Sequence, residues 1–310
     1  ATGMTGTALL AAIAIGTIAG AHVLSRARWP WRTPRTAIVL WQTLGLAWGV
    51  ASIGALLGFA VAPYARGILG GLAQVGADVM TGRLGGRLDP PHLVALLAGL
   101  ALAAVLLIMQ GCAIYEVVRA RSRHRALLNL VAHGEPSVPG ALVVDHPAAA
   151  AYCVPGVRSS KVVISAGTLA LLDRAELAAV LAHERAHVRE RHDLVLLPFT
   201  SLRQVFPRLG LVGRALDAVK LLIEMTADDR ALRHRSPREL ATALLRFASA
   251  HPADAPSGAL AAVSADEIPV MARVNRLLRP VRPHPAARAT MLAAAALLAV
   301  VPLLLYAFPR

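Results

Sequence analysis

Cysteine is nearly absent from this 310-residue chain, which has only Cys112 and Cys153. That excludes a disulfide framework and a cysteine-built metal site. Cys112 lies in a long apolar run and Cys153 in a more polar segment. The two are therefore not expected to pair, and Cys153 reads as a small buried apolar residue. Charge is scarce too: 16% of residues are charged against 56% hydrophobic, whereas a soluble domain carries about 25% charged. Among 32 basic residues only Lys161 and Lys220 are lysine, an arginine bias typical of a GC-rich bacterial genome. There is no internal repeat and no heptad array. The first apolar run has no basic residue ahead of it, so it reads as a retained span and not as a cleaved signal peptide.

The apolar residues gather in four uncharged stretches, Ala1–Ser25, Thr36–Ala65, His92–Tyr115 and Ala289–Pro309. Each is near the roughly 20 residues needed to cross a hydrocarbon core. The spans are expected at about 4–24, 37–62, 93–115 and 289–310. Net charge is +14, but its placement argues against a nucleic-acid partner. Arg26, Arg28, Arg32 and Arg35 separate the first two spans. Arg119, Arg121, Arg123 and Arg125 follow the third, and Arg276, Arg279, Arg282 and Arg288 precede the fourth. Such clusters mark the cytoplasmic side and attract anionic lipid. The expected layout is a mainly α membrane protein. Residues 1–118 form a three-span membrane domain, 119–288 a cytoplasmic domain with both strands and helices, and 289–310 the fourth span. Both termini are expected outside, and 66–89 is expected as a short external loop.

Within the polar segment, Ala149–Val154 and Lys161–Ser165 read as strands, with a turn around Pro155-Gly156 and Ser159-Ser160. Asp173 and Glu176 have capping-box spacing and open a helix. Asp217 reads as the N-cap of a second helix running to about His234. Further helices are expected at Arg238–Ala250 and Val270–Leu278, with a loop at His251–Pro269.

The first of these helices carries His183-Glu184-Arg185-Ala186-His187. Histidines four apart share a helical face and can reach one metal, and a carboxylate beside the first can move a proton for a metal-bound water. Chance supplies about 0.01 such matches in this composition. A zinc site needs a third protein ligand and an open position. Glu224 is the candidate, and Asp228, four residues on, is placed to hold a ligand imidazole by its other nitrogen. His192 reads as a surface histidine at the helix end, and Asp193 as structural. The small side chains of Ala149, Ala150 and Ala151, with Tyr152, suggest a strand edge where an extended substrate could pair. Arg174, Glu176, Arg185, Arg189, Glu190 and Arg191 put too much charge on the zinc helix for an intramembrane protease.

The phrase Leu181-Ala182-His183-Glu184-Arg185-Ala186-His187, followed by Asp193 and by Glu224-x-x-Ala227-Asp228, resembles the signature of gluzincin-type membrane peptidases. Two branches share it, the HtpX/Ste24-like housekeeping peptidases and the BlaR/MecR-like signalling peptidases. Three spans, a zinc domain and a fourth span are similar to the BlaR/MecR-like layout. The runs Lys161-Val162-Val163-Ile164-Ser165-Ala166-Gly167 and Arg273-Val274-Asn275-Arg276-Leu277-Leu278 are similar as well. The resemblance implies an α+β gluzincin-type domain and a zinc endopeptidase of the bacterial plasma membrane. Its Glu184 is catalytic, its single Zn2+ is held by His183, His187 and Glu224, and its substrate is a cytoplasmic protein such as a transcriptional repressor. The expectation is a short form, without the extracellular penicillin-binding sensor that β-lactam receptors carry after the fourth span. The alternatives are an HtpX/Ste24-like quality-control role and a catalytically silent signalling scaffold. An intact Glu184 argues against the scaffold.

Overall fold

A computed structural model of the chain describes residues 2–83, 88–131, 133–134, 141–154, 161–250, 260–261, 267–279 and 285–307. The expected turn at 155–160 and most of the loop at 251–269 lie outside the described residues. The chain forms two compact units. One contains Ala1–Gly111, Pro198–Ala218 and Pro283–Arg310, and the other Cys112–Leu197 and Val219–Arg282. The second unit is thus interrupted in sequence by Pro198–Ala218. The interruption is a stretch whose apolar side chains belong with the membrane helices, Phe199 on Trp41 and Phe206 on Trp48, both ring pairs edge to face.

The first unit is built on α1 (Thr2–Arg26), α2 (Pro34–Ala60), α3 (Gly67–Met80) and the part of α4 (Pro90–Val131) up to Gly111. Pro34 starts α2 where a missing N–H costs nothing. Leu10 of α1 and Ala37, Ala47 and Ala51 of α2 are buried, so the two helices meet through small residues. The α3 helix replaces the expected loop at 66–89. Ile68, Leu72 and Val75 give it an apolar face, and Gly71 lies where any side chain would strike Val61. Its buried Asp78 accepts hydrogen bonds from Tyr64 Oη at 2.8 Å and Gln74 Nε2 at 3.3 Å.

The second unit has a five-stranded sheet and a helical layer. The strands are β1 (His133–Gly134), β2 (Ala141–Val144), β3 (Ala151–Val154), β4 (Lys161–Ser165) and β5 (Leu260–Ala261), in the order β1-β2-β4-β3-β5. The β2–β4 pair is parallel and the others are antiparallel. A short α5 (Ala166–Leu171) follows β4, with Ser165 as its N-cap. Gly167 closes the run from Lys161 because a Cβ there would collide with the Pro147 carbonyl. Next come α6 (Arg174–Arg189), α7 (His192–Val205), α8 (Gly210–Ala231), α9 (Pro237–Ser249) and α10 (Glu267–Leu278). Side chains of α6 and α9, among them Val180, Leu181, Ala243 and Phe247, cover the sheet face formed by Val143, Ala151, Val162 and Ile164. Ala179, Ala231, Leu240 and Val274 bring α6, α8, α9 and α10 together in a second core. The α8 helix begins at Gly210, seven residues before the expected cap: Asp217 sits exposed on its surface and interrupts nothing.

The chain ends with α11 (Pro285–Ala307) in the first unit. Segments Thr5–Arg26, Pro34–Ala60, Pro90–Ala120 and Pro285–Tyr306 are long and apolar enough to cross a membrane. By length and composition this is a multi-pass membrane protein.

Candidate metal centre

The α6 helix starts at a complete capping box: Asp173 accepts from the backbone of Ala175 and Glu176, and Glu176 reaches back to Asp173 N at 3.0 Å. Arg246 of α9 clamps Glu176 at 2.9 Å. So anchored, α6 turns His183, Glu184 and His187 inward, where all three are buried. The i,i+4 spacing holds: the two Nε2 atoms face each other at 3.0 Å. Glu224 enters from α8, its carboxylate 3.2 Å from His183 Nε2 and 3.5 Å from His187 Nε2.

Three groups that carry lone pairs thus converge, with ligand atoms within 4.8 Å of one another. A tetrahedral zinc with bonds of about 2.0–2.1 Å keeps nitrogen ligands about 3.3 Å apart. The observed 3.0, 3.2 and 3.5 Å bracket that value. Both Glu184 carboxylate oxygens are buried and have no hydrogen-bond partner among the described residues. Such an orphaned acid is costly unless something outside the chain completes it. The residues fit a divalent metal with a water beside Glu184.

Each ligand is backed by another side chain. His183 Nδ1 lies 2.9 Å from Asp228 Oδ1, where the spacing on α8 puts it. Arg273 of α10, the first residue of the run Arg273–Leu278, is the keystone of this side. It is buried, donates through Nε and Nη2 to both Asp228 oxygens at 2.9 and 2.8 Å, and reaches Glu224 at 2.9 Å. Arg276, one turn on, makes the same two-pronged contact with Asp229 at 2.7 and 2.8 Å. His192, expected on the surface, is instead buried, with its Nδ1 3.0 Å from His187 Nδ1. The chain reverses at Arg191, and that brings the ring back onto the site.

These contacts set the protonation of the metal-free site. Burial alone would lower His183, but Asp228 and Glu224 outweigh it and raise it to about 9. Burial, with Glu224 nearby, pushes Glu184 up to about 8. His187 is driven down to about 3 by burial and by His183, His192 and Arg273. Burial opposes ionisation of Glu224, yet His187, Arg273 and His183 hold its carboxyl at about 2. Asp228 lies below the usual carboxylate range: burial is overcome by Arg273 and His183.

The expected substrate strand looks different in three dimensions. Ala149 and Ala150 precede β3, and the Ala150 backbone is already used. Its N–H donates to Ser165 Oγ at 2.9 Å, and its carbonyl accepts from Ser165 N at 2.9 Å and Thr168 Oγ1 at 2.8 Å. Ala151 pairs with Ile164 of β4, and Tyr152 lies between Val163 of β4 and Ala261 of β5. The strand is therefore flanked on both sides at Tyr152.

No curated protein and no solved structure matches the chain. The sequence model of Peptidase family M48 matches residues 118–227, which takes in His183, Glu184, His187 and Glu224 and stops just before Asp228. Together with the four apolar helices, that match supports a membrane-associated metallopeptidase whose His183, His187 and Glu224 can hold a metal ion.

Proposed function

We propose that the protein is a membrane-embedded zinc endopeptidase, with His183, His187 and Glu224 as metal ligands, Asp228 behind His183, and Glu184 as the catalytic acid and base. The observation that carries this reading is the unpartnered, buried carboxylate of Glu184 beside three converging ligand atoms. Bound zinc would supply Lewis acidity and a nucleophilic water at neutral pH. Glu184 takes a proton from the attacking water and passes it to the departing amine nitrogen. Its raised proton affinity suits the second half of that exchange. His183 and His187 must both present bare Nε2 atoms, which Asp228 and His192 allow by engaging the opposite nitrogens.

Purified protein is expected to hold about one zinc. Glu184→Gln should keep that zinc and lose at least about a hundredfold in peptide cleavage. Wild-type cleavage by Glu184→Gln would sink the enzyme reading.

The substrate class is a protein or peptide. We assign the protein a regulatory role, cutting a cytoplasmic protein such as a transcriptional repressor. Support comes from the sequence order of three apolar helices, the M48-like segment and a fourth apolar helix. The M48 match alone also supports an HtpX/Ste24-like quality-control role. Trapping bound proteins on Glu184→Gln separates the two: one specific partner favours regulation, a broad set of membrane proteins favours quality control. The arginine clusters support a cytoplasmic site in the bacterial plasma membrane. A cysteine at exposed Arg235, with Cys112 and Cys153 replaced by serine, should resist an impermeant thiol reagent in intact cells. Labelling there without lysis would reverse the topology.

A further inference from the structure

The two histidines of the motif are held differently. His183 is backed by a carboxylate from another helix, whereas His187 is backed by a histidine only five residues further along the chain. In an unbroken helix that fifth residue would lie about 140° around the axis and could not meet it. Here α6 ends at Arg189 and α7 starts at His192. Between them exposed Arg191 takes a left-handed conformation with φ 49°. No glycine marks this turn, and a side-chain residue adopts that region only when its surroundings hold it there. The result is a buried imidazole facing His187, with its far nitrogen, Nε2, 3.4 Å from Glu190 Oε2.

We propose that His192 is a positioning residue of the metal centre: with Glu190 it forms a relay that fixes the tautomer and ring angle of His187. The inference rests on the metal-ligand reading of His183, His187 and Glu224. A metal on His187 Nε2 leaves its proton on Nδ1. That proton points at His192 Nδ1, 3.0 Å away, which must then accept. His192 carries its own proton on Nε2 and donates it to the Glu190 carboxylate. Every hydrogen in the relay has one place, and the order runs from His187 to His192 to Glu190. Because its Nδ1 faces His187 Nδ1, His192 is a partner of the ligand and not a fourth ligand.

The test uses the full-length protein in detergent, loaded with Zn2+ or with Co2+ as a spectroscopic probe. His192→Phe keeps a ring and removes the acceptor, and His192→Asn places an amide oxygen near the position of Nδ1. His192→Phe should release zinc to a chelator about ten- to a hundredfold faster and alter the cobalt visible bands. His192→Asn should restore most of both. Wild-type release and an unchanged spectrum in His192→Phe overturn the relay. If that variant does not fold, Glu190→Ala decides, because it removes the acceptor for His192 Nε2: faster zinc loss supports the relay and a wild-type rate overturns it. A wild-type protein that takes up no zinc overturns the ligand reading, and the relay with it. Retained zinc with an indifferent His192→Phe overturns the relay alone.

Discussion

The two units of this molecule bury opposite things. In the membrane unit the interior is mostly apolar, from small side chains such as Ala47, Ala51 and Ala60 to Leu10 and Trp41, with Asp78 a buried acid among them, and Leu107 and Ile108 face outward. In the second unit the sheet core is apolar, yet the interior of the helical layer holds Glu184, Asp228, Arg273 and three histidines. The difference follows from the solvent. A helix surrounded by lipid gains nothing by hiding leucine, so its neighbours are chosen by close fit. A domain in water hides leucine readily, so buried charge there signals work that stability alone would not select.

The sharpest way to break this contrast is Arg273→Ala. It removes the guanidinium that bridges Asp228 and Glu224 and leaves His183 as the cation beside both carboxylates. Stripping one partner from a buried ion network costs about 3–5 kcal/mol, so a large drop in thermal stability of the metal-free protein is expected. Lysine should not replace it, because one ammonium cannot span both oxygens of Asp228 and still reach Glu224. A variant as stable as the wild type would show that the network carries no structural load. Gly54→Ala is the matching test in the membrane unit. A Cβ there would lie 2.6 Å from the ring of Tyr306, whose hydroxyl is held by the Val50 carbonyl at 2.8 Å. Overpacking of this kind costs about 1–3 kcal/mol, read as faster unfolding in detergent without loss of zinc. Smallest of all is Leu107→Ala. Its side chain is 74% exposed, and the change should stay within about 0.5 kcal/mol.

How far the site could be read in advance depended on how local its determinants are. The four apolar runs, the His183–His187 spacing and the Glu224–Asp228 pair are patterns within a single helix, and the helices carry them as expected. The α3 helix is hard to read from sequence because it holds Gly67, Gly70, Gly71 and Gly76, and only the fold shows that Gly71 makes room for Val61. Asp217 looked like a cap because an exposed acid in mid-helix and a capping acid are the same letter. The burial of His192 is not legible in sequence, because nothing in the letters around Arg191 announces a left-handed turn. Arg273 meets Asp228 across 45 residues, a distance no helical period can bridge.

The keystone arginine has a consequence for how the site trades its cargo. In the metal-free site at neutral pH, His183 and Arg273 are cationic, Glu224 and Asp228 anionic, and Glu184 keeps its proton, since His183 and Glu184 titrate at about 9 and 8. The pocket is electrically balanced while empty. When Zn2+ enters, His183 must give up its proton to become a ligand, and Glu184 ionises beside the new charge. Two positive charges arrive and two leave, so the balance is kept. On the zinc reading proposed above, loading would be an electroneutral exchange of one zinc for about two protons. Calorimetry of zinc uptake in buffers of different ionisation enthalpy should read about two protons released per ion near pH 7. The sign follows directly. As pH falls below about 8 the protons compete, and apparent zinc affinity drops by up to about a hundredfold per pH unit. If zinc is the metal, a site built this way would be emptied and refilled without passing through a charged interior, and acidity and free zinc together would set how much of it is armed.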